Sequence, residues 1–340
     1  MEFLSEYGLF LAKSLTFLVV LVIAVAIIAS SAMHKNKGGE EQIEVEKINE
    51  RFEEYHEIMQ SSVLDEKALK KHNKEEKKKQ KQAKKEEANE TKKRIFVTEF
   101  DGDVKASDAE QLSKLISLIL TEANKDDEVL IKLESSGGMV HSYGYAASQL
   151  SRIRNKGIPL TICVDKVAAS GGYMMACIAD KILAAPFAII GSIGVIAQIP
   201  NFHRLLEKSN IDYEMHTAGE YKRTLTMFGE NTDKAREKFR EELEDTHELF
   251  KTFVKENRDS VDIDSVATGE IWFGSRALDV KLVDELITSD EYLFEQSKHA
   301  DIYEISIQVK PTLAERVGIA ASVEKALNRA MSVLSQRYFS

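Results

Sequence analysis

The stretch VAASGGYMMACIA at 167–179 sets a serine between small residues where the apolar run LTICVDK at 160–166 gives way to a helix-like segment. A nucleophile can be exposed at such a transition. Small neighbours let a substrate backbone come close, and the first amides of the following helix bring positive potential to Ser170 and to an oxyanion formed beside it, with Gly171 as a candidate donor. A second glycine turn, ESSGGMVHS at 134–142, also follows an apolar run and precedes a helical pattern, so the amides of Gly137 and Gly138 can point into the same cleft. Two such turns suit an oxyanion hole. The serine needs a base, and the eight histidines offer no partner pattern: His34, His56 and His72 lie in the N-terminal third and the others stand alone. A lysine can take the role. Lys222, in TAGEYKRTLTMFG at 217–229, is followed by a partly apolar stretch that would hold its amine away from water and so make it a proton acceptor at neutral pH. Taken singly, each piece has an ordinary reading: the Ala-Ser-Gly-Gly string suits tight helix packing, and Lys222 a surface position.

The elements that must position these residues alternate. IFVTEF at 95–100 reads as a strand ending in the turn signal Asp101-Gly102-Asp103, followed by a helix at 109–125, a strand at 129–135, a helix at 143–157 and a strand at 160–166. This order predicts a layered α/β domain over 95–300. The run ILAAPFAIIGSIGVIAQIP at 182–200 is apolar enough to suggest a membrane span, but Pro186, Gly191 and Gly194 interrupt it, and it reads as two short buried strands around a turn. A long amphipathic helix is expected at 233–259, with Phe239, Leu243, Leu249, Phe250 and Phe253 as a broken apolar stripe that packs on the sheet or on a neighbouring subunit.

Outside that domain, a short flank at 1–14 precedes 15–33, which is almost wholly apolar and about as long as the ~20 residues a helix needs to cross a bilayer; the lack of a basic leader and of a small-residue cleavage site favours an uncleaved anchor. Residues 34–94 read as a charged helical stalk. Its stretch 65–94 holds 13 basic and 7 acidic residues against a chain net charge of −10, so the remainder is clearly acidic. Attraction of these lysines to anionic headgroups is a second use for the segment. Residues 301–340 read as a strand followed by an amphipathic helix at 313–339 that packs on the core, lies on the membrane or mediates assembly. The acidic body without a basic stripe excludes nucleic acid as substrate. Cys163 and Cys177 sit in apolar runs, as small buried hydrophobes do, and no nucleotide loop, metal cluster or cofactor fingerprint is present, so no cofactor is expected.

Four motifs in one order, SSGG at 135–138, D-x-x-A-A-S-G-G-Y at 165–173, GSIGV at 191–195 and G-x-Y-K at 219–222, resemble the signal peptide peptidase A family, peptidase family S49. The resemblance covers most of 95–300, and the anchor with its charged extension carries it towards full length. It implies a crotonase-like, ClpP-like α/β domain and a serine-type endopeptidase, with Ser170 matching the nucleophile, Lys222 the general base, Ser192 a hydroxyl that holds the lysine, and Gly137 an oxyanion-hole position. It further implies a homo-oligomeric ring in which, for chains with one copy of each motif, serine and lysine come from adjacent subunits. The expected substrates are polypeptides such as signal-peptide remnants or other membrane-associated chains, cut at an inner membrane with the catalytic domain facing the periplasm. The positive-inside rule opposes that side only weakly, because just Lys35 and Lys37 precede the acidic stretch at 40–46. One departure stands out: Arg223 follows Lys222 where the family commonly has serine. Two other functions compete. An acyl-CoA hydratase or isomerase of the same fold would need a carboxylate in the cleft and no nucleophilic serine. A membrane scaffold or chaperone ring would keep the assembly without the chemistry.

Overall fold

The computed structural model describes residues 13, 16, 41–65, 67–69, 74 and 92–309. The chain divides into two compact units, Val45–Ser306 and a unit of Met1–Glu44 with Ile307–Ser340. In the second, 41–44 and 307–309 are strand; the expected C-terminal helix at 313–339 lies outside the described residues, as does the expected anchor at 15–33 apart from Thr16. Among the described residues no helix is long and apolar enough to cross a membrane.

In Val45–Ser306 the sheet is built first from β2 (Lys93–Gly102), β3 (Glu128–Ser135) and β4 (Leu160–Val164). All five residues of β4 and six of the eight in β3 are buried, as expected for parallel strands covered on both faces. β6 (Lys181–Ala184), β9 (Glu285–Leu286) and β10 (Ala300–Val309) extend it, in the order β10-β2-β3-β4-β6-β9 with every pair parallel; Ile302 faces Ile95, Val97 faces Leu130, and Ile131 faces Ile162. The crossover helices cover it. In α2 (Ala109–Glu122), Leu112, Leu115, Ile116 and Ile119 fall on one buried stripe at helical spacing. In α3 (Val140–Asn155) the buried stripe is Tyr143, Ala146, Ala147, Leu150 and Ile153. α3 begins three residues before its expected start, directly on the glycine turn.

The expected strand at 160–166 ends at Val164, and a second, separate strand follows it. After β4, Asp165 turns aside, its carboxylate accepting from Ser289 N at 2.8 Å and Ser289 Oγ at 2.5 Å, and this pins the start of α9 (Ser289–Gln296). The chain resumes as β5 (Val167–Ala169), which leaves the path of β4, pairs with the last residue of β3 (Ser135 facing Ala168), and pairs on its other side with β7 (Ile189–Gly191). β7 pairs antiparallel with β8 (Ile271–Phe273). The run at 182–200 thus does contain two short strands, β6 and β7, around a turn. This side branch of the sheet delivers the SSGG turn and the Ser170 loop to one place.

The stalk reading of 34–94 is corrected within its described part. Residues 41–47 are strand β1 and 48–63 helix α1. Ile48 belongs to the core with Ile95, Val97, Leu130 and Ile302, and the Asn49 side chain donates to the Ser297 and Ala300 carbonyls and accepts from Ile302 N. The globular unit therefore starts some fifty residues before the expected boundary at 95. The apolar contribution of this segment is small, Ile48 and the partly buried Phe52, and the docking adds the Asn49 bonds and the Lys47–Asp301 and Arg51–Glu304 ion pairs, so a charged composition conceals it.

Candidate functional site

Ser170 stands between β5 and α4 (Gly171–Ala176) with φ 52° and ψ −118°, a conformation that costs a non-glycine residue of order 1–3 kcal/mol. The surroundings hold it there: Ser170 N donates to Gly191 O at 2.8 Å and Ser170 O accepts from Met174 N at 2.9 Å. The SSGG turn lies directly against it. Gly137 has φ +88°, and a Cβ on it would stand 2.7 Å from Ser170 Cβ, from Gly171 N and from Ala169 O alike. Only glycine allows both that φ and that approach. The next residue, Gly138, abuts the Val104 backbone, and Gly171 abuts the ring of Tyr143, with no room for a Cβ at either position.

The three glycine amides differ. Gly137 N donates to Ser135 Oγ at 3.1 Å. The Gly138 and Gly171 N–H groups have no acceptor among the described residues, although Gly171 is buried. Unpaired buried amides are rare, because each forgoes a bond it would make in water. Both lie with Ser170 on the wall of a cavity of about 340 Å³ whose other lining is largely apolar: Val140 and Met174, then Val195 and Ile196, and Phe250 and Phe253 from α6 (Asp233–Asn257). The apolar stripe expected on that helix is thus partly a cavity wall, and Leu249, also lining it, is 65% exposed. Ser192 sits one residue past the Gly191 carbonyl that holds Ser170; it has φ 49° and donates its N–H to Glu270 O at 2.8 Å.

Lys222 is elsewhere in the chain. It is exposed, in a stretch without regular structure, its backbone N–H bonded to Gly219 O at 3.2 Å. Among the described residues its amine makes no hydrogen bond or ion pair, and it does not line the Ser170 cavity. Tyr221 beside it lies under the Lys234 and Lys238 amines at 5.9 and 5.4 Å, and Arg223 lines a separate depression with Tyr221 and Thr224. The same stretch exposes Ile211, Tyr213, Met215, Met227 and Phe228. Within one chain, then, Ser170, Gly137, Gly138, Gly171 and Ser192 come together and Lys222 does not join them. Asp103, Ser135 and Tyr143 are bonded to one another beside the glycine turn, which the sequence did not lead one to expect: there Asp103 is part of a turn signal, Ser135 part of SSGG and Tyr143 the first residue of the expected helix at 143–157, and no spacing signals a hydroxyl contact between a strand end and a helix. Among the described residues, no group of three or more His, Cys, Asp or Glu side chains is gathered as a metal site.

Two family profiles match consecutive parts of the chain: Peptidase family S49 N-terminal over residues 2–150 and Peptidase family S49 over 152–303. Among curated relatives, the probable protease SohB of Haemophilus influenzae is 48% identical over 338 residues, covering 96% of this chain and 95% of its own. The probable protease SohB of Buchnera aphidicola (subsp. Acyrthosiphon pisum) is 48% identical over 331 residues, with 97% of each chain covered. Among solved structures, a membrane-bound stomatin-specific protease variant in complex with a substrate peptide aligns over 67% of this chain and 97% of its own, at 13% identity and a TM-score of 0.41.

Proposed function

The chain belongs to peptidase family S49, a family of proteases, and from that premise we propose that it is a serine endopeptidase with Ser170 as nucleophile and Lys222 of a neighbouring subunit as general base. The observation that carries the reading is Ser170 in a strained backbone conformation, on the wall of an apolar cavity, beside the buried Gly171 amide and the exposed Gly138 amide, neither of which has an acceptor among the described residues. In the proposed reaction a neutral Lys222 amine takes the Ser170 Oγ proton as Oγ attacks the substrate carbonyl carbon. The oxygen of that carbonyl becomes an oxyanion and accepts from Gly138 and Gly171 N–H. Lys222 then gives the proton to the departing amine, leaving an acyl ester on Ser170, and the same amine activates water to hydrolyse it. Gly137, its own amide engaged by Ser135, acts by allowing the turn to touch Ser170. Ser192, next to the carbonyl that holds the nucleophile, is suited to accept or donate a bond to the incoming lysine.

Two observations support a base from another subunit: Lys222 lies off the Ser170 cavity in its own chain, and the stretch around it exposes large apolar side chains of the kind that interfaces cover. The apolar cavity suits an apolar substrate side chain. With residues 15–33 as an anchor, the substrates would be membrane-associated polypeptides, signal-peptide remnants among them, and the site would face the periplasm. The exposed Lys222 also fits a second reading, a ring that keeps the fold as a scaffold without the chemistry. Mixing subunits separates the two. Ser170→Ala and Lys222→Ala assemblies should each be inactive on a casein substrate, and random one-to-one co-assembly should restore about a quarter of wild-type activity, the share of sites that pair the intact serine of one variant with the intact lysine of the other. No recovery from verified mixed assemblies removes the shared site, and full activity of Lys222→Ala alone removes the dyad.

A further inference from the structure

We propose that Ser135 and Tyr143 are positioning residues of the Ser170 site, holding the 135–138 turn through one directional chain of hydrogen bonds; this rests on the reading of Ser170 as nucleophile and of the Gly138 and Gly171 amides as oxyanion donors. Each hydroxyl has a single proton to give. Tyr143 donates to Asp103 O at 2.7 Å. Its oxygen is then the acceptor in the 2.5 Å contact with Ser135 Oγ, which is far shorter than the 3.2 Å from Ser135 Oγ to Gly102 O. Ser135 Oγ in turn accepts from Gly137 N at 3.1 Å. The chain runs Gly137 N–H to Ser135 to Tyr143 to the Asp103 carbonyl, every proton pointing the same way, and such chains reinforce one another in a buried setting.

Both hydroxyl residues are buried, Ser135 at 2% and Tyr143 at 0% exposure, so neither has water as an alternative partner. The far end is fixed independently. The Asp103 carboxylate accepts from Lys105 N and Ser107 N, closing its own loop, and the next residue, Val104, accepts from Met139 N at 2.8 Å. Gly138 is therefore held on both sides: through Gly137 to the Ser135–Tyr143 chain, and through Met139 to the loop on which that chain ends. The Tyr143 ring meanwhile lies against Gly171, the other donor. One side chain thus sets the two amides relative to each other, its hydroxyl through the turn and its ring by contact.

The test uses the full-length chain and a fluorophosphonate–rhodamine probe over a range of concentrations, which gives a maximal inactivation rate constant, a half-saturation concentration and a labelling amplitude. Tyr143→Phe keeps the ring and removes the chain's third member; Ser135→Ala removes the second. Each is expected to lower the maximal rate constant roughly tenfold or more, short of the ~100- to 1000-fold for losing a donor outright, with half-saturation and amplitude unchanged. The double variant is expected to lose no more than the worse single one, as members of one unit do. A residue that only supports folding would lower the amplitude and leave the rate constant alone. Wild-type rate constants in the folded fraction of both variants, or losses that multiply in the double variant, overturn the chain as a positioning device. If Tyr143→Phe does not fold, the Ser135→Ala rate constant decides by itself. A wild-type chain that takes no label overturns the reading of Ser170 and this proposal with it, whereas labelled wild type with unaffected variants overturns this proposal alone.

Discussion

Gly137→Ala adds one methyl group at the most crowded point of the site. The backbone there has φ +88°, where an L-residue pays roughly 1–2 kcal/mol relative to glycine. The new Cβ would also stand 2.7 Å from three atoms at once, Ala169 O, Gly171 N and Ser170 Cβ, where carbon contacts are at their best near about 3.5–4.0 Å. None of these is the end of a flexible side chain, so the relief is a shift of the turn by about 1 Å away from Ser170. Strain of this kind costs a further ~1–3 kcal/mol, for a total loss of about 2–5 kcal/mol in unfolding free energy. The same shift moves the Gly138 amide out of line, and a displacement of about 1 Å at a reacting centre costs on the order of 100-fold in rate. Thermal unfolding and fluorophosphonate inactivation of one preparation read both effects. A variant that unfolds earlier but is inactivated at the wild-type rate would refute the link between turn position and chemistry; one that matches wild type in both would refute the packing itself.

Three further outcomes are expected. Gly144→Ala, in α3 and with nothing among the described residues within 4 Å of the added Cβ, should raise stability by about 0.5–1 kcal/mol and narrow the Ser170 cavity, so that peptides with large apolar side chains at the cleaved position lose rate more than those with alanine; equal loss for both, or a lower melting temperature, contradicts this. Burial pushes the Cys177 thiol up to about 12 and the Cys163 thiol well above the usual range, so neither should be alkylated by iodoacetamide at pH 8 until the chain is unfolded; native-state labelling would show the core to be more open than described. At Asp127, burial opposes ionisation, but bonds from Arg94 and from Asn124 N outweigh it and hold the carboxyl below its ordinary value. The stabilisation is therefore full above the unfolded value near about 3.9 and fades as pH falls through the folded one. Asp127→Asn should melt earlier than wild type at pH 7, with the gap closing in acid; a gap independent of pH would refute the charge-based account.

How much of this was legible in the sequence depends on whether the signal is local. The parallel core was, because β3 and β4 are largely apolar, with VLI at 129–131 and LTICV at 160–164, and α2 repeats apolar residues at helical spacing. The glycine turns were legible as turns, whereas the string around Ser170 suits tight helix packing as well, and that serine was singled out only by the order of the four family motifs. What failed depends on contacts distant in sequence. The break at Asp165 follows from its bonds to Ser289, 124 residues away, and the docking of α1 rests on Ile48 and Asn49 meeting β10 some 250 residues on. Ser135 and Tyr143 were visible as residues, but their bond is a product of folding. Lys222 is the plainest limit: a partly apolar flank predicts a lysine shielded from water, yet in one chain Lys222, Met227 and Phe228 are exposed and Leu225 only half-buried, because apolar content in a flank does not fix what packs over it.

The most direct test of the account is to treat the full-length assembly with fluorophosphonate and identify the modified residue by peptide mass spectrometry. The account predicts one adduct, on Ser170, lost in Ser170→Ala and in Lys222→Ala when both variants assemble as wild type does. An intact assembly with no adduct, an adduct on another serine, or labelling indifferent to Lys222 would contradict it.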